Sequence, residues 1–210
     1  MKKIAIIDYG VGNILSLSRA IEEIGFKAEL TKNKKAILDS ELLILPGVGA
    51  FDNAMKLLRK NNLIETLNEF VKIKKKPLIG ICLGMQMLLT KSYEMGEHLG
   101  LNFIPGEVVQ IKNLGKKEIK IPHISWSEIL IKNDFSNNIL PKDLINRSFY
   151  FIHSFISVTK NKNHTVAYAK YLDIEIPAII RNENVIGFQF HPEKSGNNGL
   201  KLLKNTLKII

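Results

Sequence analysis

The N-terminal part of the chain alternates continuous apolar runs with amphipathic patterns of helical period. Three runs have the character of buried strands: "KKIAIIDYG", "ELLILPG" and "PLIGI". Other segments repeat apolar residues at helical spacing: "GNILSLSRAIEEIGF", "AFDNAMKLLRK" and "NLIETLNEFVKIK". Strands that are buried on both faces and alternate with helices form parallel sheets. The sequence therefore predicts an α/β fold with an open, mostly parallel central sheet and helices on both faces.

The first predicted helix carries a signal at each end. Asn13 is suited to the N-cap position, where its side chain can accept from a backbone N–H group. Gly25 is suited to the position just after the helix, where a left-handed backbone ends it. We therefore expect this helix to lie between Asn13 and Gly25.

From about residue 106 the pattern changes to closely spaced strand-like pieces. These pieces are "GEVVQI", "RSFYFIHSFIS", "HTVAYAKY", "IPAIIR" and "NVIGFQF", and the amphipathic "GLKLLKNTLKII" ends the chain. No repeat, low-complexity linker or Pro/Gly/Ser-rich boundary separates the two parts. We therefore expect residues 1–210 to form a single domain in which mixed strands extend the central sheet.

Cysteine content and hydropathy exclude several classes of protein. A single cysteine permits neither an internal disulfide nor a metal site of the CxxC type. No segment approaches the roughly 18 consecutive apolar residues of a membrane-spanning helix. The N-terminal apolar run is too short for a signal peptide. We therefore expect a cytoplasmic protein without membrane association.

The formal net charge of +10 raises the question of nucleic-acid binding. Lysines are spread along the whole chain, and the densest run, "KIKKKP" at 72–77, lies where a helix is expected to end before a strand. Cations stabilise a helix C-terminus through the helix dipole. We therefore interpret this run as a solvated helix end and expect no nucleic-acid partner, with a basic binding module as the alternative.

Cys82 lies between Gly80 and Gly84, after an apolar strand and before an apolar helical pattern. A nucleophile on a sharp strand-to-helix turn needs small neighbours so that its side chain can stand clear. A helix N-terminus or a nearby imidazole also lowers the pKa of a thiol. Cys82 is therefore a candidate nucleophile, and the alternative is a buried structural cysteine.

A histidine at the end of a predicted strand could activate this thiol. In "GFQFHPEKS" the strand ends at His191, and Glu193 follows two residues later, where its carboxylate can orient the ring. The other four histidines have no comparable neighbours: His98, His123, His153 and His164. Cys82, His191 and Glu193 therefore form a candidate catalytic triad.

Five motifs in order along the chain resemble those of class I glutamine amidotransferases: "DYGVGN", "LPGVGAF", "GICLGMQ", "YFIHSF" and "GFQFHPEKS". Within that family they resemble the glutaminase subunits of imidazole glycerol phosphate synthases. The resemblance runs from "IAIIDYGVGN" to the terminal helix, so it covers essentially the whole chain. It implies the class I glutamine amidotransferase fold, with neither a metal nor a cofactor.

The resemblance also implies how the candidate residues act. Cys82 would attack the side-chain carboxamide of glutamine and form a γ-glutamyl thioester, while His191 protonates the departing ammonia. Glu193 would hold the imidazole tautomer. The oxyanion hole would consist of the backbone N–H of Leu83 and one from Gly47–Val48, in the glycine-flanked turn "LPGVGAF". From local sequence alone, that turn could also be an ordinary strand-to-helix connection.

Further positions are implied for substrate and partner. Gln86 and the backbone around Ser154 and Phe155 would bind glutamine. Ammonia would pass to a (β/α)8-barrel cyclase subunit, in a heterodimer that makes imidazole glycerol phosphate and a purine by-product, AICAR. The interface with that subunit would include three positions: Asn13, Trp126 and Lys194.

One segment departs from the family pattern. Where the family usually has Pro-His-Met-Gly-Trp-Asn, this chain has "PHISWSE" at 122–128, with Ser125 in place of glycine and Ser127 in place of asparagine. The candidate triad is unaffected. The alternatives left open are a paralogous subunit that supplies ammonia to a sugar-modifying amidotransferase and a stand-alone cysteine hydrolase.

Overall fold

The computed structural model describes residues 2–114, 119–132 and 139–210. Within them the chain forms two sheets and six α-helices. The strands are β1 (Ile4–Ile7), β2 (Ala28–Thr31), β3 (Leu42–Gly47), β4 (Leu78–Cys82), β5 (Lys91–Ser92), β6 (His98–Leu99), β7 (Gly106–Gln110), β8 (His123–Ile131), β9 (Ser148–His153), β10 (Phe155–Thr159), β11 (Thr165–Tyr171), β12 (Ile174–Asn182) and β13 (Val185–Phe188). The helices are α1 (Ile14–Glu23), α2 (Lys34–Asp39), α3 (Phe51–Lys60), α4 (Leu63–Asn68), α5 (Leu83–Met87) and α6 (Gly196–Ile209).

The larger sheet holds nine strands in the order β2-β1-β3-β4-β13-β12-β11-β8-β9. The strands from β2 to β13 in this order are parallel, and the rest continue the sheet antiparallel. Strands β1, β3 and β4 are buried at every position, which is why their sequences are continuously apolar. The predicted central sheet, parallel in its N-terminal part and mixed beyond it, is confirmed.

Helices cover both faces of this sheet, as predicted. Successive residues of a strand point to opposite faces. In β1, Ile4 and Ile6 pack into an apolar cluster that includes α1 and α6, whereas Ala5 and Ile7 pack into a second cluster with α2, α3 and α4. The hydrophobic core therefore consists of two layers with the sheet between them.

Part of the β-rich segment lies in a second sheet and not in the central one. Four strands form it in the order β10-β7-β5-β6. The predicted continuous piece "RSFYFIHSFIS" is divided, because β9 pairs with β8 in the central sheet and β10 pairs with β7 in the second. The chain passes between the sheets at Ser154, whose carbonyl accepts from the Ile111 N–H at 3.0 Å. Periodicity could not reveal this division, since both halves have strand character.

The ends of α1 lie where the sequence predicts them. Asn13 occupies the N-cap position, but its side chain makes no capping hydrogen bond. Gly25 has a φ of +87°, and its N–H donates to the Glu22 carbonyl at 2.9 Å. The Phe26 N–H donates to the Ile21 carbonyl at 3.0 Å, which completes a glycine-based helix end.

The lysine-rich run at 72–77 begins within the π-helical turn Glu69–Ile73, which follows α4, and continues past its end, as predicted for a helix end. Lys76 Nζ donates to the carbonyls of Leu38 and Ser40 at the C-terminal end of α2, at 2.8 and 2.7 Å. One lysine of the run therefore stabilises a neighbouring helix end. Among the described residues, no helix combines the length and the apolar character needed to cross a membrane.

Candidate active site

Cys82 lies at the junction of β4 and α5 in a strained backbone conformation. Its φ is +55° and its ψ is −111°, a combination that a residue with a side chain adopts at a cost on the order of 1–3 kcal/mol. The junction is at the carboxyl end of the parallel strands, where open α/β sheets place their ligands. The strain turns the thiol out of the strand direction and toward that edge.

The glycines around Cys82 serve a different purpose from the one predicted. The thiol does not stand clear, because Cys82 is only 7% exposed. A Cβ at Gly84 would lie 1.9 Å from the Leu45 carbonyl oxygen, and one at Gly80 would lie 2.7 Å from the Gly84 carbonyl. The glycines are therefore needed so that the start of α5 can pack directly on β3 and β4.

His191 and Glu193 lie beside Cys82 as a buried pair. His191 Nδ1 is 2.8 Å from Glu193 Oε1, and both side chains are 3% exposed. The second ring nitrogen is left for Cys82, which lines the same cavity as His191 and interacts with its ring. Main-chain contacts fix the ring, since the His191 N–H donates to the Tyr150 carbonyl and its own carbonyl accepts from Ser195. The three predicted triad members are thus in contact.

The electrostatics of this cluster favour a charged imidazole. Burial alone lowers the pKa of His191, but hydrogen bonds to Cys82 and Glu193, together with their charges, outweigh burial and raise it to about 10. Burial, and then the charge of Cys82, raises the pKa of the nearby Tyr9 phenol above its usual range. An imidazolium beside a thiol favours the thiolate, which is the nucleophilic form.

A cavity of 330 Å³ opens onto this cluster. Eight of the predicted site residues line it: Val48, Cys82, Leu83, Gln86, Ser154, Phe155, His191 and Lys194. Glu193 does not line it, because it lies behind His191. Larger cavities of 610 and 740 Å³ lie elsewhere and contain none of the triad.

The predicted oxyanion turn lies next to Cys82. Gly47 at the end of β3 pairs in register with Cys82, and a Cβ at Gly47 would lie 2.8 Å from the Gly84 nitrogen. Val48 follows at the rim of the cavity, 40% exposed, and Gly49 has a φ of +94°. The turn therefore lies close to the thiol and is accessible from the cavity, and its conformation depends on glycine.

The opposite wall of the cavity is built by Gln86 and the passage between the two sheets. Gln86 Nε2 donates to the Phe155 carbonyl at 3.0 Å and to Gln189 Oε1 at 3.3 Å. His153 Nδ1 contacts the same Phe155 carbonyl at 2.9 Å. This carbonyl is thereby fixed by two side chains.

His153 is a site residue that the sequence analysis missed, together with its neighbour His123. The two rings contact each other at 3.1 Å between His123 Nδ1 and His153 Nε2. They are thirty residues apart in sequence, and only the pairing of β8 with β9 places these two positions directly opposite each other. For His153, a signal in the sequence was its place in the motif "YFIHSF", directly before Ser154.

The three predicted interface residues are not all in the cavity. Lys194 lines it, whereas Trp126 lies on the outer face of β8 with 55% of its surface exposed. Ile124 and Ile152 are exposed beside Trp126. Asn13 lies at the start of α1, a helix that packs against the turn containing Lys194. An exposed apolar strip therefore adjoins the candidate site.

Known proteins resemble the chain over its whole length. A family model described as Glutamine amidotransferase class-I matches residues 5–210. The Legionella pneumophila (strain Lens) protein named Imidazole glycerol phosphate synthase subunit HisH 1 is 42% identical over 100% of both chains. The Caldanaerobacter subterraneus subunit HisH is 44% identical over 99% of this chain and 98% of its own.

Solved structures with lower identity share the fold. The structure of PurLQS from Thermotoga maritima gives a TM-score of 0.71 at 21% identity, covering 99% of both chains. A glutamine amidotransferase from Thermotoga maritima gives a TM-score of 0.59 at 18% identity, covering 99% of this chain and 82% of that one.

Proposed function

The chain belongs to the class I glutamine amidotransferase family, and we propose that it is the glutaminase subunit of an imidazole glycerol phosphate synthase. In this role it hydrolyses glutamine and passes ammonia to a (β/α)8-barrel cyclase subunit in histidine biosynthesis. The names of relatives at 42–44% identity support this assignment. The observation that carries it is the contact of Cys82, on its strained junction, with the buried His191–Glu193 pair.

The first half of the reaction forms a thioester. The Cys82 thiolate attacks the carboxamide carbon of glutamine and forms a C–S bond, while the carbonyl electrons move onto oxygen. The tetrahedral intermediate expels the amide nitrogen, which takes a proton from the His191 imidazolium and leaves as ammonia. The raised pKa of His191 means that the proton is in place before the attack.

The second half returns the enzyme to its starting state. Neutral His191 removes a proton from water, and the resulting hydroxide adds to the thioester carbon. The C–S bond then breaks, which releases glutamate and the Cys82 thiolate beside a protonated imidazole. Glu193 keeps the same ring nitrogen facing the reaction throughout, as the carboxylate does in serine hydrolases.

Backbone N–H groups stabilise the oxyanion of both tetrahedral intermediates. We assign these donors to Leu83, at the start of α5, and to the turn at Gly47 and Val48. We assign Gln86 to substrate contact and the backbone around Ser154 and Phe155 to the amino-acid end of glutamine. The Phe155 carbonyl already accepts two hydrogen bonds from the protein, so its part in binding glutamine is to hold the wall and not to contact the substrate.

The barrel subunit docks on the exposed apolar strip of β8 and β9. The interface uses Trp126 on this strip, with Asn13 and Lys194 nearer to the cavity. Docking there can also reorient the turn at Gly47 and Val48, because a peptide between two glycines rotates at little steric cost. Glutaminase activity is therefore coupled to the partner.

Glutamate release tests this function under three conditions: the chain alone, the chain with the barrel subunit, and the complex with the nucleotide ligand of the barrel. We expect the isolated chain to release glutamate slowly. The ligand-bound complex should release it about 10²- to 10³-fold faster, because one oxyanion donor changes kcat by about that factor. If the isolated chain already matches the complex, partner coupling is wrong and the chain is a stand-alone hydrolase.

A second candidate function is ammonia supply to a sugar-modifying amidotransferase. The observation that favours it is the change of polar groups on β8, where Ser125 and Ser127 replace the usual glycine and asparagine of a strand that faces the partner. In that case only the sugar-modifying synthase, and not the histidine-pathway cyclase, stimulates glutamate release.

A further inference from the structure

Strand β8 carries a row of three polar side chains on one face: His123, Ser125 and Ser127 occupy alternate positions. Ser127 Oγ lies 2.7 Å from Ser125 Oγ, which in turn lies 2.7 Å from His123 Nε2. Across the strand pair, His123 Nδ1 lies 3.1 Å from His153 Nε2. A continuous chain of hydrogen bonds therefore runs from the two serines to the wall of the cavity.

The Phe155 carbonyl determines the direction of this chain. A carbonyl oxygen only accepts, so His153 donates to it through Nδ1 at 2.9 Å. A neutral His153 then accepts through Nε2, and His123 must donate through Nδ1. His123 in turn accepts through Nε2, so Ser125 donates to His123 and Ser127 donates to Ser125. Both histidines are Nδ1–H tautomers.

The surroundings of the two rings keep them neutral. His123 packs against Phe151 and Tyr171, with ring centroids 5.3 and 4.2 Å apart. Burial lowers the pKa of His123 to about 4. Burial, followed by repulsion from His123, lowers the pKa of His153 to about 3 against the opposing hydrogen bond to Phe155. The direction of the chain is therefore not disturbed by a second proton near neutral pH.

The geometry points to Ser125 and Ser127 as positioning residues for glutamine. Their hydroxyl groups act through the two histidines on the Phe155 carbonyl, and so on the wall that includes Gln86. This role rests on the glutaminase function proposed above. It gives a purpose to the two positions at which the sequence departs from the family pattern.

The hydroxyl groups matter because they are the partners of the outer ring nitrogen of His123. A serine hydroxyl can donate to this nitrogen or accept from it, so loss of both hydroxyls leaves His123 Nε2 without a partner in either tautomer. The His123 ring then turns to satisfy this nitrogen, which weakens its hydrogen bond to His153. The His153 ring and the Phe155 carbonyl are then no longer held in place, so the wall around them shifts.

Kinetics of serine variants in the complex with the barrel subunit test this role. Ser127 Oγ lies 3.1 Å from His123 Nε2 and can replace Ser125 as its donor. We therefore expect Ser125→Ala and Ser127→Ala each to raise the KM for glutamine less than about threefold. The double alanine variant should raise it about tenfold or more, with kcat within about threefold, because only then is a buried acceptor left without a donor.

A matched control separates the hydroxyl groups from packing. The double variant Ser125→Thr/Ser127→Thr keeps both hydroxyls and should retain the KM of the wild type within about threefold. His123→Asn keeps a donor toward His153 but removes the acceptor of the serine hydroxyls. In that background, adding the two alanine substitutions should change KM no further.

The tautomers themselves are observable by ¹⁵N NMR of the histidine rings in the isolated chain. We expect His123 and His153 to be neutral Nδ1–H tautomers at pH 7, and the ring ¹⁵N resonances of both histidines to shift in the double alanine variant. A wild-type His153 in the Nε2–H form would overturn the role, as would a double alanine variant with an unchanged KM or a threonine variant that behaves like alanine. A wild-type complex without glutaminase activity would overturn the proposed function instead, while the tautomer spectrum would still report on the hydrogen-bond chain.

Discussion

Two histidines on different walls of the same cavity have pKa values shifted in opposite directions. On one wall, Cys82 and Glu193 flank His191 and raise its pKa to about 10 although burial opposes the charge. On the other wall, His153 faces a carbonyl and the neutral ring of His123, and its pKa falls to about 3. Both histidines are buried, with 3% and 7% of their surface exposed. Their different charge therefore comes from their partners.

Because the two histidines differ in charge, the two walls have different roles in the reaction. A charged imidazole between a thiol and a carboxylate can give up a proton and take it back, which bond breaking requires. A neutral imidazole between a hydroxyl and a carbonyl only transmits the direction of hydrogen bonds. We therefore expect substitutions on the first wall, which holds Cys82 and His191, to change kcat. Substitutions on the second wall, which holds His153, should change KM.

The largest effect expected on the first wall follows from Cys82→Ala. Loss of a nucleophile removes the covalent step, so glutamine-dependent synthesis by the complex should fall by about 10⁵- to 10⁶-fold. Synthesis from added ammonia should persist, because the proposed function assigns the cyclase chemistry to the barrel subunit. Parallel assays with the two nitrogen sources measure this, with assembly checked by gel filtration. Loss of both activities in an assembled complex would contradict the division of labour.

A smaller effect on the same wall is expected from Glu193→Gln. The neutral amide no longer favours the imidazolium, so the pKa of His191 falls and kcat should drop about 10²- to 10⁴-fold with little change in KM. Glu94→Gln is a matched control, since Glu94 lines the same cavity but accepts from the Phe51 N–H at 2.7 Å. If both variants lose the same activity, the loss reflects cavity charge and not the partner of His191.

The neutral histidines of the second wall should make the free energy of unfolding depend on pH. The folded pKa values of His123 and His153 lie below the unfolded value of 6.5. The unfolded chain therefore binds protons that the folded chain does not, and stability falls as the pH drops below 6.5. Each histidine should contribute about 2 kcal/mol to the loss between pH 7 and pH 5.

His191 should show the opposite dependence. Its folded pKa is raised, so its contribution is fully present below pH 6.5 and is lost as the pH rises toward 10. Denaturant midpoints at pH 5, 7 and 9 measure both effects. His123→Asn should remove about half of the histidine-dependent loss between pH 7 and pH 5, whereas His191→Asn should mainly reduce the loss of stability between pH 7 and pH 9. If the wild type and His123→Asn lose the same stability between pH 7 and pH 5, His123 is not held neutral in the folded chain.

The first wall could be predicted from the sequence because each of its parts is local. The apolar strand before Cys82 and the glycines around it define the junction, and His191 and Glu193 are two residues apart. The predicted role of Gly84 was wrong, since its close approach to the Leu45 carbonyl depends on a strand far away in sequence.

The second wall could not be assembled in the same way. His123 and His153 are thirty residues apart, and they meet only because β8 and β9 pair in that register. The passage between the two sheets at Ser154 likewise depends on which strand each half joins. The alternate spacing of His123, Ser125 and Ser127 was the one local sign that these polar groups share a face.

Covalent labelling by the diazo ketone analogue of glutamine tests most directly whether Cys82 forms the covalent bond to the substrate. In the complex with the barrel subunit, the reactive carbon of the analogue lies where the glutamine amide carbon would be. We expect one adduct per chain, on the peptide that contains Cys82, measured by intact mass and peptide mapping. The double alanine variant of Ser125 and Ser127 should form the same adduct and need a higher reagent concentration. Labelling at no site, or labelling that persists in Cys82→Ser, would contradict the assignment of Cys82 as the nucleophile.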